Sequence, residues 1–476
     1  MDSIRSSARS AIFEKESCTR CIVTMAGICP LSPLMMETAA TADAISKGAI
    51  LTMNVLSNIN PTPVLLAFSL FLGLTPFRAW AEPMHTPTKM PMAEAESVGM
   101  STEGLSRIDE LTKKHIEAGH IQGGVTIVAR RGKVVHFSTH GEMDVEKGRP
   151  MEPDAIYLMA SSAKPVIAVA VMMLVDEGLL SLNDPVSKYI PEFADMKVAV
   201  PVEPADGGGS KEWDKGNKKE DVAEHRLVPL DTPVTIHHLL THTSGLRGGK
   251  VQPSRDDTFS SYVPRLGEVP LNFQPGTWWA YGNAAIHAVL PRIIEVVSET
   301  SFYEFMRERV FNPLEMNNTY FYVPNDKKSK RVVLEGFDFS SKKGGWGLSS
   351  AAEDYLHFNQ MLLNGGELFG RRLLRQASVE MLSTNQVGDL FATSGKGMKA
   401  QKGMGFGYTV AVTLDPIAAG NYRGKGSFGW GGAGGTSSGG AVSISSGESS
   451  SSSSGLAAQA LSSAPARAQA SPRRRR

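Results

Sequence analysis

An α+β fold is predicted by the order of segments along the chain: an amphipathic helix and a hairpin first, helices through the middle, glycine-rich strands last. Strands from both chain ends then build one antiparallel sheet, and the middle is an inserted helical region. The 476 residues are enough for one large domain or two of ordinary size.

Each element has its own signal. Ser101 caps a helix whose apolar positions are Leu105, Ile108, Leu111 and Ile116. Residues 125–129 (VTIVA) read as a strand, Arg131-Gly132 as a turn, and residues 134–139 as the hairpin partner. Residues 161–177 read as a buried helix that stops at Gly178, and Asn183-Asp184-Pro185 then breaks the chain. Residues 203–228 mix both charge signs around Gly207-Gly208-Gly209 and read as an exposed insertion. Helical segments are expected over 237–240, 283–298, 302–311 and 351–364. The last strands are expected over 405–414 and 427–436.

Five regions follow from these signals. Residues 1–63 are an N-terminal extension and 64–81 a signal-peptide-like segment. Residues 82–97 are a Pro- and Met-rich linker, 98–436 the catalytic domain, and 437–476 a low-complexity tail. The tail is mostly Ser, Gly, Ala and Pro, buries too little apolar surface to order itself, and is expected to be disordered. Within 64–81, residues 64–74 (VLLAFSLFLGL) are too short an apolar run to span a membrane. Ala79-Trp80-Ala81 follows as a small-x-small cleavage signal, so export would leave Glu82 first. Residues 1–52 would then be an over-called start or an atypical leader. The protein is expected in the periplasm or secreted if that signal is used, with no stable membrane span after processing, and otherwise in the cytoplasm.

Lys+Arg 49 against Asp+Glu 48 leaves almost no net charge, which argues against nucleic acid or an anionic membrane as partner. The one concentrated basic run is Arg473 to Arg476. The three cysteines, Cys18, Cys21 and Cys29, precede every globular signal. Cys18 and Cys21 form a C-x-x-C, but no second Cys/His pair follows at finger spacing. His238 and His242 lie one turn apart, with Leu239 where a zinc hydrolase helix carries Glu. Neither pair is read as a metal site.

Three stretches carry the chemistry. Ser161 and Lys164 sit at i and i+3, on one face of a helix, so an amine can reach a hydroxyl. A serine is a weak nucleophile until a base takes its proton, and a lysine serves only when burial lowers its pKa. The apolar residues around them supply that burial. A second S-x-x-K, Ser340 to Lys343, lies in a polar loop and is read as chance. Tyr281-Gly282-Asn283 supplies a phenol able to shuttle protons and an amide able to bind the lysine or the substrate. Trp430-Gly431-Gly432-Ala433 is a glycine-rich strand along which a substrate can approach the backbone. The N–H groups of Ser161 and Ala433 are the candidate oxyanion donors, and Asn283, Trp430, Gly431 and Gly432 the candidate substrate contacts. Gly435 to Gly439 fits G-x-S-x-G but is followed by a Gly/Ser tail rather than a helix, and is read as chance.

Order, spacing and residue type together resemble the serine β-lactamase-related superfamily. Its class C β-lactamases and the esterases sharing their fold are most similar. Further stretches carry the likeness: residues 165–193, 236–246 (IHHLLTHTSGL), 274–283 (QPGTWWAYGN) and 344–368. The resemblance runs from about residue 101 to residue 436. It implies Ser161 as acylated nucleophile, Lys164 and Tyr281 as a coupled proton-transfer pair, and Asn283 as a supporting polar residue. Which of the pair is the base stays open. No metal or organic cofactor is implied.

Two departures shape the expectation. β-Lactamases carry Lys-Thr-Gly at the third motif, where Trp430 stands here. Losing that cation favours neutral esters over anionic β-lactams, and W-G-G resembles the family's esterases. A carboxylesterase acting on a small-molecule ester is therefore expected, with a β-lactamase or a D-amino-acid peptidase as alternatives. Family members also continue with a partner strand and a covering helix after this motif, where the Ser/Gly tail stands here. The C-terminal part of the sheet is expected to be incomplete, with residues 441–445 (AVSIS) the one remnant able to add a strand. A catalytically inactive remnant or binding protein is the rival from another class.

Overall fold

The computed structural model describes residues 21–27, 90–201, 225–246, 251–254, 256–333, 347–393, 401–433 and 435–440. All of them belong to one unit, made of residues 1–30 and 85–476. The signal-like segment 64–81, Cys18, Cys29 and residues 441–476 lie outside the described residues. Among the described residues no helix is long and apolar enough to cross a membrane.

The first strand comes from an unexpected place. β1 (Cys21–Gly27) lies within the stretch read as an extension, yet it is a member of the main sheet. α1 (Thr102–Glu117) starts where expected, with the Ser101 hydroxyl accepting from the Gly104 N–H at 3.1 Å. β2 (Gly123–Arg130) and β3 (Lys133–Asp144) form the expected hairpin. Arg131 and Gly132 turn it with φ of 54° and 73°, the left-handed pair that a two-residue turn needs. α2 (Ala163–Asp176) is buried on nearly every side, as an all-round apolar sequence requires. β4 (Lys197–Pro201) and β5 (His225–Pro229) pair antiparallel at the edges of the charged insertion, residues 202–224 of which are not described. α3 (Ile236–Leu240) and α4 (Leu290–Ser298) follow, α4 being preceded by a turn of π-helix over Ala285–Val289. α5 (Ala352–Leu363) is the last long helix among the described residues.

The strand expected over 405–414 divides into β6 (Met404–Phe406) and β7 (Ala411–Thr413). Gly407 donates to the Val410 carbonyl at 2.8 Å, and Thr409 has φ 68°, so the chain reverses there. The strand expected over 427–436 likewise divides, into β8 (Phe428–Gly431) and β9 (Thr436–Gly440). The Gly432 N–H donates to the Thr436 carbonyl at 2.6 Å and closes that hairpin. β9 therefore runs past the boundary expected at residue 436, and it contains most of the G-x-S-x-G match in a strand.

The eight-stranded sheet is antiparallel, in the order β6-β7-β8-β9-β1-β2-β3 with the short strand Arg149–Pro150 at the end. The expected gap at its C-terminal side is thus closed by β9 and β1. Ile22 opposes Gly440 on one side and Ala129 on the other. β1 is rich in β-branched and apolar residues, whereas β9 beside it is mostly Ser and Gly. One face of β2 and β3 buries Val125, Ile127, Ala129 and Phe137 in the main core with α2 and α5. The opposite face carries Thr126, His136, Ser138 and His140 beneath α1. There His140 Nε2 lies 2.7 Å from Asp109 Oδ1, and Ser138 also donates to that carboxylate. Because α1 meets this polar surface, its apolar stripe is only partly buried, and Leu111 stays 44% exposed.

Candidate active site

The nucleophile candidate sits at a strained joint. Tyr157–Leu158 pairs with Ser349–Ser350, and the chain then enters a 3-10 turn, Ala160–Ser162, that runs into α2. Ala160 has φ 45°, a left-handed conformation that costs a non-glycine residue about 1 kcal/mol or more. The turn is tied from several sides. The Met159 N–H donates to the Leu348 carbonyl at 2.8 Å, and the Tyr355 hydroxyl of α5 donates to the Ser162 carbonyl at 2.7 Å.

Lys164 is the hub. It lies on the first turn of α2, wholly buried, and its Nζ donates to Ser161 Oγ at 3.1 Å, Tyr281 Oη at 2.7 Å and Asn283 Oδ1 at 2.8 Å. No carboxylate neighbours it among those contacts, so burial brings its pKa down from the ordinary 10.5 to about 7. The Tyr281 hydroxyl donates to Ser161 Oγ at 2.7 Å, and Trp430 Nε1–H points at the Tyr281 oxygen from 3.4 Å. Burial pushes the phenol up, while the Ser161 and Trp430 hydrogen bonds pull in the other direction, and the net shift is upward. The two groups thus move oppositely: the amine is made easy to deprotonate and the phenol hard.

An aromatic cluster holds the phenol in place. Trp279, fully buried, lies face to face with Tyr281 with ring centroids 6.3 Å apart, and packs edge-on to Phe391 and Phe406. Phe406 in turn meets Trp430 edge-on at 5.4 Å. These supports escaped sequence reasoning. The only signal was the apolar run Trp278-Trp279-Ala280 just before Tyr281, which by itself reads as core.

The third motif lands beside the other two, with one change of role. A Cβ on Gly432 would lie 2.2 Å from the Met159 carbonyl oxygen and 2.3 Å from Thr436 Oγ1. Its missing side chain admits the protein's own backbone, two residues before Ser161, where an approach by substrate was expected. Thr436 Oγ1 donates to that same carbonyl at 3.1 Å. Gly431 and Ala433 are exposed at the hairpin end. His238 caps α3, its Nδ1 accepting from the Thr235 N–H at 3.2 Å, and His242 packs behind Tyr281. Among the described residues no group of three or more His, Cys, Asp or Glu side chains could hold a metal ion.

A serine and a tyrosine converging on one buried lysine, beside an antiparallel sheet with an inserted helical region, are the architecture of a serine hydrolase. Comparison with known proteins gives its kinship. Residues 108–474 match the family model described as beta-lactamase. Protein Rv1367c of Mycobacterium tuberculosis is 32% identical over 67% of this chain and 82% of its own. Esterase EstB of Burkholderia gladioli is 29% identical over 72% of this chain and 89% of its own. Among solved structures, EstCE1, a hydrolase with promiscuous acyltransferase activity, aligns with a TM-score of 0.54 at 23% identity over 69% of this chain and 87% of its own. The simvastatin synthase LovD of Aspergillus terreus aligns with a TM-score of 0.55 at 20% identity, over 70% of this chain and 88% of its own. These likenesses share the fold described above. The chain belongs to the beta-lactamase family.

Proposed function

We propose that this serine hydrolase is a carboxylesterase that works through an acyl-enzyme on Ser161. The observation that carries the reading is the convergence of Ser161 Oγ and Tyr281 Oη on a single lysine whose pKa is lowered to about 7 by burial. With the amine neutral, Ser161 Oγ gives its proton to Lys164 Nζ and attacks the ester carbonyl carbon. The carbonyl oxygen takes the negative charge and is received by the N–H groups of Ser161 and Ala433. When the tetrahedral adduct collapses, the carbon–alkoxide bond breaks. The leaving oxygen takes the Tyr281 proton, and Lys164 reprotonates the phenol. Water then enters by the same path in reverse, and Ser161 recovers its proton as the acid leaves.

The opposite pKa movements favour Lys164 as base and Tyr281 as relay in this reading. Asn283 holds the amine toward the site. Trp430 fills the place of the cation that binds β-lactam carboxylates and lends an N–H to the Tyr281 oxygen. EstB and the lovastatin esterase of Penicillium rubens, 26% identical over 68% of this chain and 87% of its own, support ester substrates by their names. Export through residues 64–81 stays part of the reading. It carries a structural condition, since cleavage after Ala81 would sever β1 from the chain it pairs with.

The test is hydrolysis of p-nitrophenyl acetate and butyrate beside nitrocefin by the full chain and its Ser161→Ala variant. Ester turnover that disappears in the variant, with little nitrocefin cleavage, is the expected result. Preferential nitrocefin cleavage would replace the esterase by a β-lactamase. Folded protein with no turnover and no fluorophosphonate labelling would leave a binding protein.

A further inference from the structure

His242 stands directly behind the site, and no step of the reaction above uses it. It is fully enclosed and sits just beyond α3 with φ 60°, a left-handed conformation that favours glycine or asparagine. Its backbone carbonyl accepts from the Ala280 N–H at 3.0 Å. Its Nδ1 accepts from the Gly282 N–H at 3.4 Å. These are the two residues that flank Tyr281. Its ring also lies against the Tyr281 ring, centroids 4.9 Å apart, with Trp279 and Phe406 on its other sides. Nε2 is buried without a hydrogen-bond partner among the described residues. A left-handed histidine with one nitrogen unsatisfied is an expensive choice for filling space, since each feature alone costs about 1 kcal/mol or more. Something must over-determine it.

We propose that His242 is a positioning residue that fixes the Tyr281 phenol between Ser161 and Lys164 by gripping the backbone on both sides of Tyr281. One bond comes from its main chain and survives any substitution. The other needs an acceptor at Nδ1, which only a neutral imidazole offers. Burial and the nearby Lys164 both act against the imidazolium, so the acceptor is maintained. A loosened grip lets the phenol swing away from Ser161 without altering the pocket that binds the acyl group. The effect therefore falls on the chemical step rather than on KM, and a displacement of about 1 Å is enough for a ~100-fold loss.

The proposal rests on the acyl-enzyme reading, so the experiment begins with the rate of fluorophosphonate labelling of the wild-type full chain. A wild type that is not labelled sinks the esterase reading itself. With labelling established, His242→Phe keeps an aromatic ring and loses the acceptor, whereas His242→Asn keeps an acceptor and loses the ring. The expected result is labelling and kcat on p-nitrophenyl butyrate reduced by about 10- to 100-fold in H242F with KM within about twofold, and within about fivefold of wild type in H242N. Should H242F fail to fold, H242N is compared with His242→Gly, because both tolerate the left-handed backbone and only Asn offers an acceptor. Asn is then expected to be about tenfold faster per folded site. Wild-type rates in folded H242F, a loss confined to KM, or equal rates in H242N and H242G would each overturn the proposal.

Discussion

Lys164 carries two pH effects of opposite usefulness. In the proposed role of base it must be neutral, so the acylation rate is expected to rise with pH up to about 7 and level off above it. Single-turnover acylation of p-nitrophenyl butyrate across that range measures this, and a rate independent of pH would remove Lys164 as the base. Stability follows a different window. The folded chain releases this proton at about 7, whereas in the unfolded chain the amine keeps it up to the ordinary 10.5. Between those values the unfolded state binds more protons, so the Lys164 contribution makes stability climb with pH. Below about 7 the penalty for burying the cation is complete and constant. Urea titrations of Lys164→Met beside wild type isolate the slope, which the variant is expected to lack. At this scale the sequence was informative: Ser161, Lys164, Tyr281 and Asn283 could be named from spacing and type. The apolar run also foretold the lowered lysine, but the upward shift of Tyr281 was hidden, because it depends on what surrounds the phenol in space.

At the scale of elements, helices were legible because their apolar periodicity and caps are local. α1 and α5 fall within a residue or two of expectation. The late strands were misjudged because β6, β7 and β8, β9 are short pieces separated by hairpins that lack Pro and the usual Asn-Gly or Asp-Gly turns. The β8–β9 hairpin also makes its own prediction. Gly432→Ala places a methyl group against the fixed Met159 carbonyl, so either the hairpin or the turn bearing Ser161 must shift. A loss of about 1–3 kcal/mol in urea unfolding is expected, together with slower labelling of Ser161. Unchanged stability and labelling would show that the two segments are not locked together.

For the whole molecule, both ends of the chain were expected in one sheet, but β1 was not. Its seven residues sit in a stretch with no turn or partner signal nearby, and their neighbours in the sheet are remote in sequence. Pairing across such distances leaves no local pattern to read. Removing residues 1–81 should expose the facing edges of β2 and β9. The shortened chain is expected to melt at least ~5 °C lower than the full chain, a change of roughly 3–4 kcal/mol for a domain of this size, and to self-associate. Scanning calorimetry and light scattering check this. Equal melting and a monodisperse shortened chain would mean that the sheet stands without β1.

The placement of β1 also sets an order of events during biosynthesis. Among the described strands β1 is made first and its partner β9 last. At about 5–20 residues per second, the interval is on the order of tens of seconds. β2 is made much sooner and can pair with one edge of CIVTMAG, but the edge that faces β9 stays open throughout to a wrong partner on a neighbouring nascent chain. The sheet closes on that edge only once β9 has been made. Until β9 arrives, whatever shields that one edge guards the yield of folded chain against mispairing.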